Sequence, residues 1–292
     1  MSNLKQLKLR ITGVKSTQKI TKAMKMVAAS KLLKSQEQKD LAKPYADKMY
    51  NMVENIAFSE KTSGNSTPLL TGNGKSAVHL LVLVSSDKGL CGAFNTSIVK
   101  KTKLTIQQLS AQGKSYKILC LGKRAYDQIK LLYHDKVIEV MPSFSSKKFN
   151  YSQAVEVSQK ITDLFNEGAF DVCSFIYVEF KNALKQNVVM RRLIPLNDES
   201  KEEDRVVDYQ YEYEPAQNKI LEKILPLNLA VQIYYILLES IVSEHGARMT
   251  AMDSATNNAN DMIAMLTLLY NRSRQAAITK ELIEIVSSAE VV

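Results

Sequence analysis

The chain has 292 residues, of which 45% are hydrophobic, and a formal net charge of +9. This composition excludes a disordered chain, and because no run of 18 or more apolar residues occurs, we expect no membrane-spanning segment. Residues 1–50 hold twelve Lys or Arg and three Asp or Glu, whereas the remaining 242 residues hold 27 of each. A general nucleic-acid binder would spread its basic charge over a surface, so this single basic segment argues against that class of protein.

The N-terminal segment, residues 1–58, predicts one long helix. It contains few Gly and Pro, and up to Gln36 it has no acidic residue. Apolar residues recur at alternating spacings of three and four, which is typical of a coiled-coil seam. The predicted seam positions are Leu4, Leu7, Ile11, Val14, Thr17, Ile20, Met24 and Val27.

Residues 76–197 predict a small Rossmann-like α/β domain. Apolar runs alternate with amphipathic segments, as expected for a sheet with helices on both faces. The predicted strands are Val78–Ser85, Lys117–Leu121, Val137–Met141 and Val172–Phe180, with Val188–Leu196 as the hairpin partner of the last. The predicted helices are Thr96–Ala111, Arg124–Tyr133 and Tyr151–Asn166.

An acidic linker, residues 198–215, leads to a second long helix over residues 216–292. We expect this helix to form an antiparallel coiled coil with residues 1–58 and to extend beyond it by roughly 20 Å at 1.5 Å per residue. Because its seam is weak, it suits a helix pair enclosed by another protein. The seam positions are Leu238, Ile241, His245, Met249, Met252, Thr256, Ala259, Ile263, Leu266, Tyr270, Ser273 and Ala277.

Two glycine-containing loops are candidate ligand sites, and neither is convincing. The segment Gly72–Ser76 ends like a phosphate-binding loop, but Leu69 stands where the motif needs glycine, and the segment precedes a strand rather than following one. The loop Ser85–Asn95 follows the first strand, where α/β folds bind ligands, but its G-x-x-G pair alone is a weak signal. We interpret the first as a linker and the second as a structural turn or a partner-contact loop.

The histidines and cysteines predict no catalytic or metal site. His79, His134 and His245 lie on different predicted elements, and Cys91 has no His or acidic partner placed by the sequence. The three cysteines show no C-x-x-C spacing, which favours a reducing compartment. From the residues we therefore expect no cofactor and no metal, and a protein that transmits or scaffolds.

Three segments resemble the gamma subunit of F-type ATP synthase. Ile11–Ser35 (ITGVKSTQKITKAMKMVAASKLLKS) resembles its N-terminal helix, Ser85–Asn95 (SSDKGLCGAFN) its first-strand loop, and Glu244–Ile285 its C-terminal helix. The resemblance implies a rotor shaft inside a ring of three alpha and three beta subunits, with the α/β body on epsilon and the c-ring. It also implies a non-catalytic subunit, with no nucleic-acid partner, peripheral on the cytoplasmic side of a bacterial inner membrane through the complex only.

The resemblance also implies site residues. Contacts with beta fall on Arg274, Gln275, Thr279 and Glu281; Lys22, Met24 and Lys25 face the acidic lever of beta, and Cys91 lies near that lever. Tyr211 and Tyr213 match positions that contact epsilon or the c-ring, and Gly246 stands where the family commonly has Ala, which should soften the helix by about 1 kcal/mol.

Two other classes of protein remain open on the residues alone. The first is an α/β enzyme with helical appendages, which would show ligand affinity or turnover in the isolated chain. The second is a nucleic-acid-binding coiled coil that uses its basic arm, which would bind DNA with an affinity that falls steeply with salt. The first aromatic residue is Tyr45, so the basic arm lacks side chains that could stack on bases.

Overall fold

The computed structural model of the chain describes residues 2–61, 67–142, 149–183, 185–196 and 217–289. Two compact units are present. The helix-pair unit comprises Met1–Ser30 and Arg248–Val292, and the sheet unit comprises Lys31–Ala247. The acidic linker predicted at 198–215, including Tyr211 and Tyr213, lies outside the described residues.

The described helices and strands follow the predicted order. The helices are α1 (Ser2–Lys61), α2 (Pro68–Thr71), α3 (Phe94–Ala111), α4 (Lys123–Tyr133), α5 (Tyr151–Asn166) and α6 (Gln217–Ala289), with a 3₁₀ turn at His134–Lys136. The strands are β1 (Val78–Val84), β2 (Ser115–Leu121), β3 (Val137–Met141), β4 (Val172–Phe180) and β5 (Gln186–Ile194). The predicted fold class, an α/β body with long N- and C-terminal helices, is confirmed.

The five strands form one sheet in the order β3-β2-β1-β4-β5. Strands β1 to β4 run parallel, and β5 pairs antiparallel with β4, as the predicted hairpin requires. The strand order reverses direction around β1, which is the pattern of a doubly wound fold. Because every crossover returns through a helix, both faces of the sheet are covered.

Each face of the sheet carries its own hydrophobic core. One core joins Leu80, Val82 and Phe175 to helices α5 and α6, through side chains such as Ile161 and Ile233. The other joins the opposite side of the same strands to α3 and α4. Adjacent residues of a strand point to opposite faces, so a strand buried on both faces is apolar throughout, which is why β1 reads VHLLVLV.

Within the sheet unit, a buried carboxylate ties α6 to its neighbours. Glu239 accepts a hydrogen bond from the Phe180 amide at 2.9 Å and another from the Tyr235 hydroxyl at 2.8 Å. The Lys39 ammonium lies 3.6 Å from the same carboxylate. A buried charge is tolerated only when it is paired and hydrogen-bonded, so this arrangement fixes α1, β4 and α6 at one point.

Among the described residues, one helix is long and apolar enough to cross a membrane. Within Ile220–Ser287 an 18-residue window of α6 reaches a mean hydropathy of 1.5, and 72% of that window is buried inside the protein. Core helices pass the same test of length and composition. The packing of α6 against the sheet accounts for the hydropathy of this segment.

Two glycines within the long helices give a matched prediction of stability. An added Cβ at Gly13 meets nothing within 4 Å, whereas at Gly246 it would lie 3.1 Å from Phe180 Cε2 and 3.3 Å from Gln186 Nε2. We expect Gly13→Ala to raise the free energy of unfolding by about 0.5–1 kcal/mol, and Gly246→Ala to gain less, because crowding offsets the better helix propensity. Thermal unfolding of the two variants, followed by circular dichroism, measures the difference. An equal gain at both positions would show that crowding by Phe180 and Gln186 does not offset the better helix propensity of alanine at position 246.

Candidate functional site

The two helices of the helix-pair unit run antiparallel and meet through small and polar side chains. Thr21 and Thr256 hydrogen-bond through their hydroxyls at 2.8 Å, and Gln18 Nε2 donates to Asn260 Oδ1 at 2.5 Å. Lys25 pairs with Asp253 at 2.5 Å. Positions rise along α1 as they fall along α6, which confirms the predicted antiparallel pair.

The predicted register of the α1 seam is wrong at Thr17, Ile20 and Val27, whereas the predicted position Met24 is half-buried. Ile20 and Val27 are each 57% exposed, and Thr17 is also exposed, whereas Thr21 and Ala28 are buried. The alternating repeat continues in step through Gln18 and Thr21, because these polar residues have partners on α6. The prediction followed the apolar residues, which here point away from the seam.

The predicted seam of α6 is confirmed within the helix-pair unit, where every predicted position from Met249 to Ala277 is buried or half-buried, with Met252, Thr256 and Ala259 among the buried ones. These side chains remove less apolar area from water than Leu or Ile would, so the seam stabilises the pair only weakly. The predicted positions Leu238 and Ile241 are buried instead in the core that joins α6 to the sheet.

Large apolar side chains lie on the outside of the helix-pair unit instead. On α1, Leu9 and Met26 are 65% and 66% exposed. On α6, exposed apolar residues run from Met262 to the described end of the helix: Met262, Met265, Leu268, Leu269, Ile278, Leu282, Ile283, Ile285 and Val286. An apolar surface of this extent is typical of a surface that a partner covers.

The predicted contact residues near the end of α6 all face solvent. Arg274, Gln275, Thr279 and Glu281 are exposed, while Ser273 and Ala277 on the seam are half-buried. From Ile278 to Ser287 every side chain is exposed, as expected for a helix end that extends past its partner. Their assignment as beta contacts stays a prediction.

The three predicted contact residues of α1 do not share one face. With the seam at Thr21 and Ala28, Met24 and Lys25 lie on opposite flanks of it, about 50° to either side, in a helix of 3.6 residues per turn. Both are half-buried, whereas Lys22 is exposed and turned further outward. Lys25 forms an ion pair with Asp253 on α6. Of the three predicted contact residues, Lys22 and Met24 are therefore the two that are not held in this ion pair.

The Ser85–Asn95 loop is a rigid turn that packs Cys91 inside it. Cys91 is only 2% exposed, and Asn95 Nδ2 donates to its sulfur at 3.2 Å. Ser86 Oγ donates to the Lys88 carbonyl at 2.7 Å, and the Ser86 amide donates to Asn95 Oδ1 at 3.1 Å. The thiol therefore offers a partner little surface, and the contact of Cys91 with beta stays a prediction.

Leu90 is the exposed residue of this loop that sequence reasoning missed. It is 62% exposed and has a φ of 63°, the left-handed region that a non-glycine residue seldom occupies. Backbone strain of this kind persists where the surroundings enforce it, often at contact sites. Nothing in the local sequence signals a left-handed leucine, since the neighbouring Gly89 and Gly92 would be expected to take that role.

A small cavity lies at the carboxyl ends of β1 and β2. The cavity there, lined by Val84, Ser85, Leu121 and Glu244 among others, has a volume of about 10 Å³, enough for one water molecule. The Ser85 hydroxyl contacts the Gly122 carbonyl at 3.1 Å across this end. Among the described residues, this cavity is too small to hold a nucleotide.

The Gly72–Ser76 segment is a turn and not a phosphate-binding loop. Asn73 Nδ2 donates to Asp171 Oδ1 at 2.6 Å, and the amides of Ala77 and Val78 donate to Asp171 Oδ2, each at 2.9 Å. Although burial raises the pKa of Asp171, these hydrogen bonds together hold it below its ordinary value. The segment thus fastens the start of β1 to the start of β4, consistent with its interpretation as a linker.

Histidines and cysteines form no metal site in the described ranges, where no cluster of three His, Cys, Asp or Glu side chains occurs. His245 is buried on α6, as predicted for a packed histidine. Cys91, Cys120 and Cys173 are all buried and unpaired with one another, and burial raises the pKa of the Cys120 thiol to about 12.

A helix pair whose outer surface is apolar indicates a protein that works through partners. The family model described as ATP synthase matches residues 3–292. The ATP synthase gamma chain of Pelagibacter ubique is 47% identical over 290 residues, covering 99% of both chains. That of Rhodospirillum rubrum is 46% identical over 299 residues, covering 100% of both. The chain therefore belongs to the ATP synthase gamma chain family, and the predicted resemblance is confirmed.

Solved structures show the same fold. A chain of the central stalk and c-ring structure of Tetrahymena thermophila mitochondrial ATP synthase is 25% identical, with a TM-score of 0.61, and covers 81% of this chain and 99% of its own. A chain of the Euglena gracilis mitochondrial ATP synthase structure titled OSCP/F1/c-ring, rotational state 3, has a TM-score of 0.71 at 18% identity, covering 99% and 94%. The second likeness supports the fold alone.

Proposed function

We propose that this chain is the central rotor stalk of an F-type ATP synthase. In this role it couples proton-driven rotation of the c-ring to the conformational cycle of the catalytic beta subunits. The observation that carries the proposal is the helix-pair unit, whose seam is small and polar while its outer surface is apolar and, on α1, basic. Such a surface is expected where other subunits enclose the helix pair. Membership of the ATP synthase gamma chain family supports alpha and beta subunits as those partners.

Rotation drives nucleotide affinity only if each orientation of the stalk binds one beta conformation better than another. Shifting a two-state site from 1:99 to 99:1 needs about 5.5 kcal/mol of differential contact. Residues such as Met265, Leu268 and Ile283 offer many moderate apolar contacts that can change together. A surface without one dominant bond also lets the stalk leave each beta subunit at every step.

The proposed partners are three alpha and three beta subunits around the helix-pair unit, with epsilon and the c-ring against the rest of the chain. The chain itself is non-catalytic, and it lies at the bacterial inner membrane, peripheral on the cytoplasmic side, through the complex only. Support comes from family membership. The assigned contacts are those of Lys22, Met24, Lys25, Cys91, Arg274, Gln275, Thr279 and Glu281 with beta, and of Tyr211 and Tyr213 with epsilon or the c-ring.

Reconstitution with purified alpha and beta subunits tests the proposal. We expect this chain to be required for a stable complex that hydrolyses ATP cooperatively, while the isolated chain binds no nucleotide. Steady-state hydrolysis with and without the chain, together with size-exclusion chromatography of the complex, gives the readout. If alpha and beta alone reach full cooperative activity, the rotor proposal fails. Measurable turnover by the isolated chain would instead favour the enzyme hypothesis.

A further inference from the structure

A second cavity lies at the opposite end of the sheet from the small one. It has a volume of about 360 Å³ and sits where the parallel strands begin, between the sheet and α3. Ser76 precedes β1, Lys114 precedes β2, and Val172 begins β4. This volume is within the range of small-molecule sites. None of the residues that line this cavity is among the contacts assigned to the rotor function.

The floor of the cavity is buried and largely apolar. Leu81 and Ser174 are partners across β1 and β4, and Ser174 is in turn the partner of Arg192 on β5, so three strands contribute one row of side chains. Leu109 of α3 closes the side, and Met190, which is 48% exposed, stands at the rim. An apolar or aromatic body therefore has a surface to pack on.

The polar part of the cavity is cationic. His79, Lys114 and Arg192 reach it from three different elements, and its lining includes no carboxylate among the described residues. Asp171, the carboxylate that faces His79, is occupied by its hydrogen bonds to Asn73, Ala77 and Val78. Three cationic side chains that converge on one cavity favour a bound anion there.

His79 adds a buried donor position. Its Nε2 atom is buried and has no hydrogen-bond partner in the part of the chain that the structure describes. Burial, and then the charge of Lys114, lower the pKa of this imidazole below its ordinary value of 6.5. A buried ring nitrogen without a partner costs free energy, which a bound anion would recover once the ring is protonated.

We propose that this cavity binds a small amphipathic anion, a molecule with one aromatic or short aliphatic body and a single phosphate, sulfonate or carboxylate group. The body packs on Leu81, Leu109 and Met190, and the anionic group lies between Lys114, Arg192 and His79. The proposal concerns the sheet unit alone and does not depend on what the helix-pair unit does.

The test uses two probes with the same ring and different charge, 1-naphthalenesulfonate and 1-naphthalenemethanol. Isothermal titration of the full chain should show saturable binding of the sulfonate and at least about tenfold weaker binding of the alcohol, since a charge-assisted contact contributes about one such factor. Arg192→Gln and Lys114→Gln should each weaken sulfonate binding by about tenfold. Lys100→Gln is the control, because it removes the same charge from an exposed position of α3 outside the cavity.

Two further measurements decide the proposal. Sulfonate binding should tighten as pH falls from about 8 to about 5, because a protonated His79 adds a cation beside Lys114 and Arg192, with Asp171 as the carboxylate nearby. His79→Gln should remove this pH dependence. The assembled ATP synthase complex should bind the same probe with similar affinity. Equal binding of the two probes, insensitivity to all three substitutions, or loss of binding in the complex would each overturn the proposal, the last by showing that a partner subunit occupies the cavity.

Discussion

Replacing Gly122 by alanine should lower the free energy of unfolding of the sheet unit by about 3–5 kcal/mol, the largest stability effect we expect from a single methyl group. Gly122 has a φ of 102°, and a Cβ on it would lie 2.2 Å from the Ser85 carbonyl oxygen and 2.6 Å from its carbon. These are backbone atoms at the end of β1, so a side-chain movement cannot relieve the clash. Ser85 also bonds across to Leu121 through its amide at 2.7 Å.

Gly113→Ala is the matched control for this prediction. Gly113 also has a positive φ, 71°, but a Cβ there meets nothing within 4 Å. We expect it to cost only the left-handed penalty of about 1 kcal/mol. Thermal unfolding followed by tyrosine fluorescence should show Gly122→Ala losing about 10 °C or more, and Gly113→Ala only a few degrees. Equal losses would mean that the backbone at the ends of β1 and β2 shifts easily enough to relieve the clash between the added Cβ and the Ser85 carbonyl.

The sheet unit was predictable from the sequence because its strands are buried on both faces. Val78–Val84 and Val172–Phe180 are apolar nearly throughout, and glycines mark the turns around them. Every predicted strand and helix of this region agrees with the structure to within two residues at each end. The four-residue helix Pro68–Thr71 was missed, because a single turn has no periodicity to detect.

The α1 seam was mispredicted at Thr17, Ile20 and Val27, because polar residues occupy part of the seam in this stretch of the helix. Ile20 and Val27 were assigned inward for being apolar, yet Thr21 is the residue that bonds across to Thr256. In a chain that folds alone, apolar residues face inward. Where a partner encloses the helices, apolar side chains on the outer surface are also buried, against that partner. Hydrophobicity by itself then no longer shows whether a side chain points toward the seam or away from it.

The two sites of the sheet unit depend on contacts that no local pattern encodes. Cys91 was predicted near a partner, but its burial follows from Ser86 and Asn95 closing the loop around it. The amphipathic-anion cavity joins His79, Lys114 and Arg192, which together span more than a hundred positions of the chain and meet only through the strand order and the antiparallel register of β5. Such a set becomes visible only once the sheet is built.

Replacing Met24 by lysine should impair the coupling of the assembled enzyme more than its hydrolysis of ATP. Met24 is half-buried on the flank of the seam opposite the Lys25–Asp253 ion pair, in a segment with no acidic residue up to Gln36. If position 24 faces the acidic lever of beta, as we propose, an added ammonium there would gain an ion pair worth about 0.2–1 kcal/mol, present in some orientations of the stalk and absent in others. That bias slows release at one step, so protons pumped per ATP should fall while ATP hydrolysis changes by less than about twofold.

Met26→Lys is the control, since it makes the same substitution on the same helix. Met26 is 66% exposed and lies on the face turned away from the seam, about 160° around the helix from Met24. Proton pumping into inverted vesicles and ATP hydrolysis, measured on the same preparations, give the coupling ratio for both variants. If Met24→Lys leaves the ratio unchanged, position 24 does not face the lever. If Met26→Lys lowers it equally, any added cation on α1 disturbs rotation, and the effect does not belong to the flank of the seam where Met24 lies.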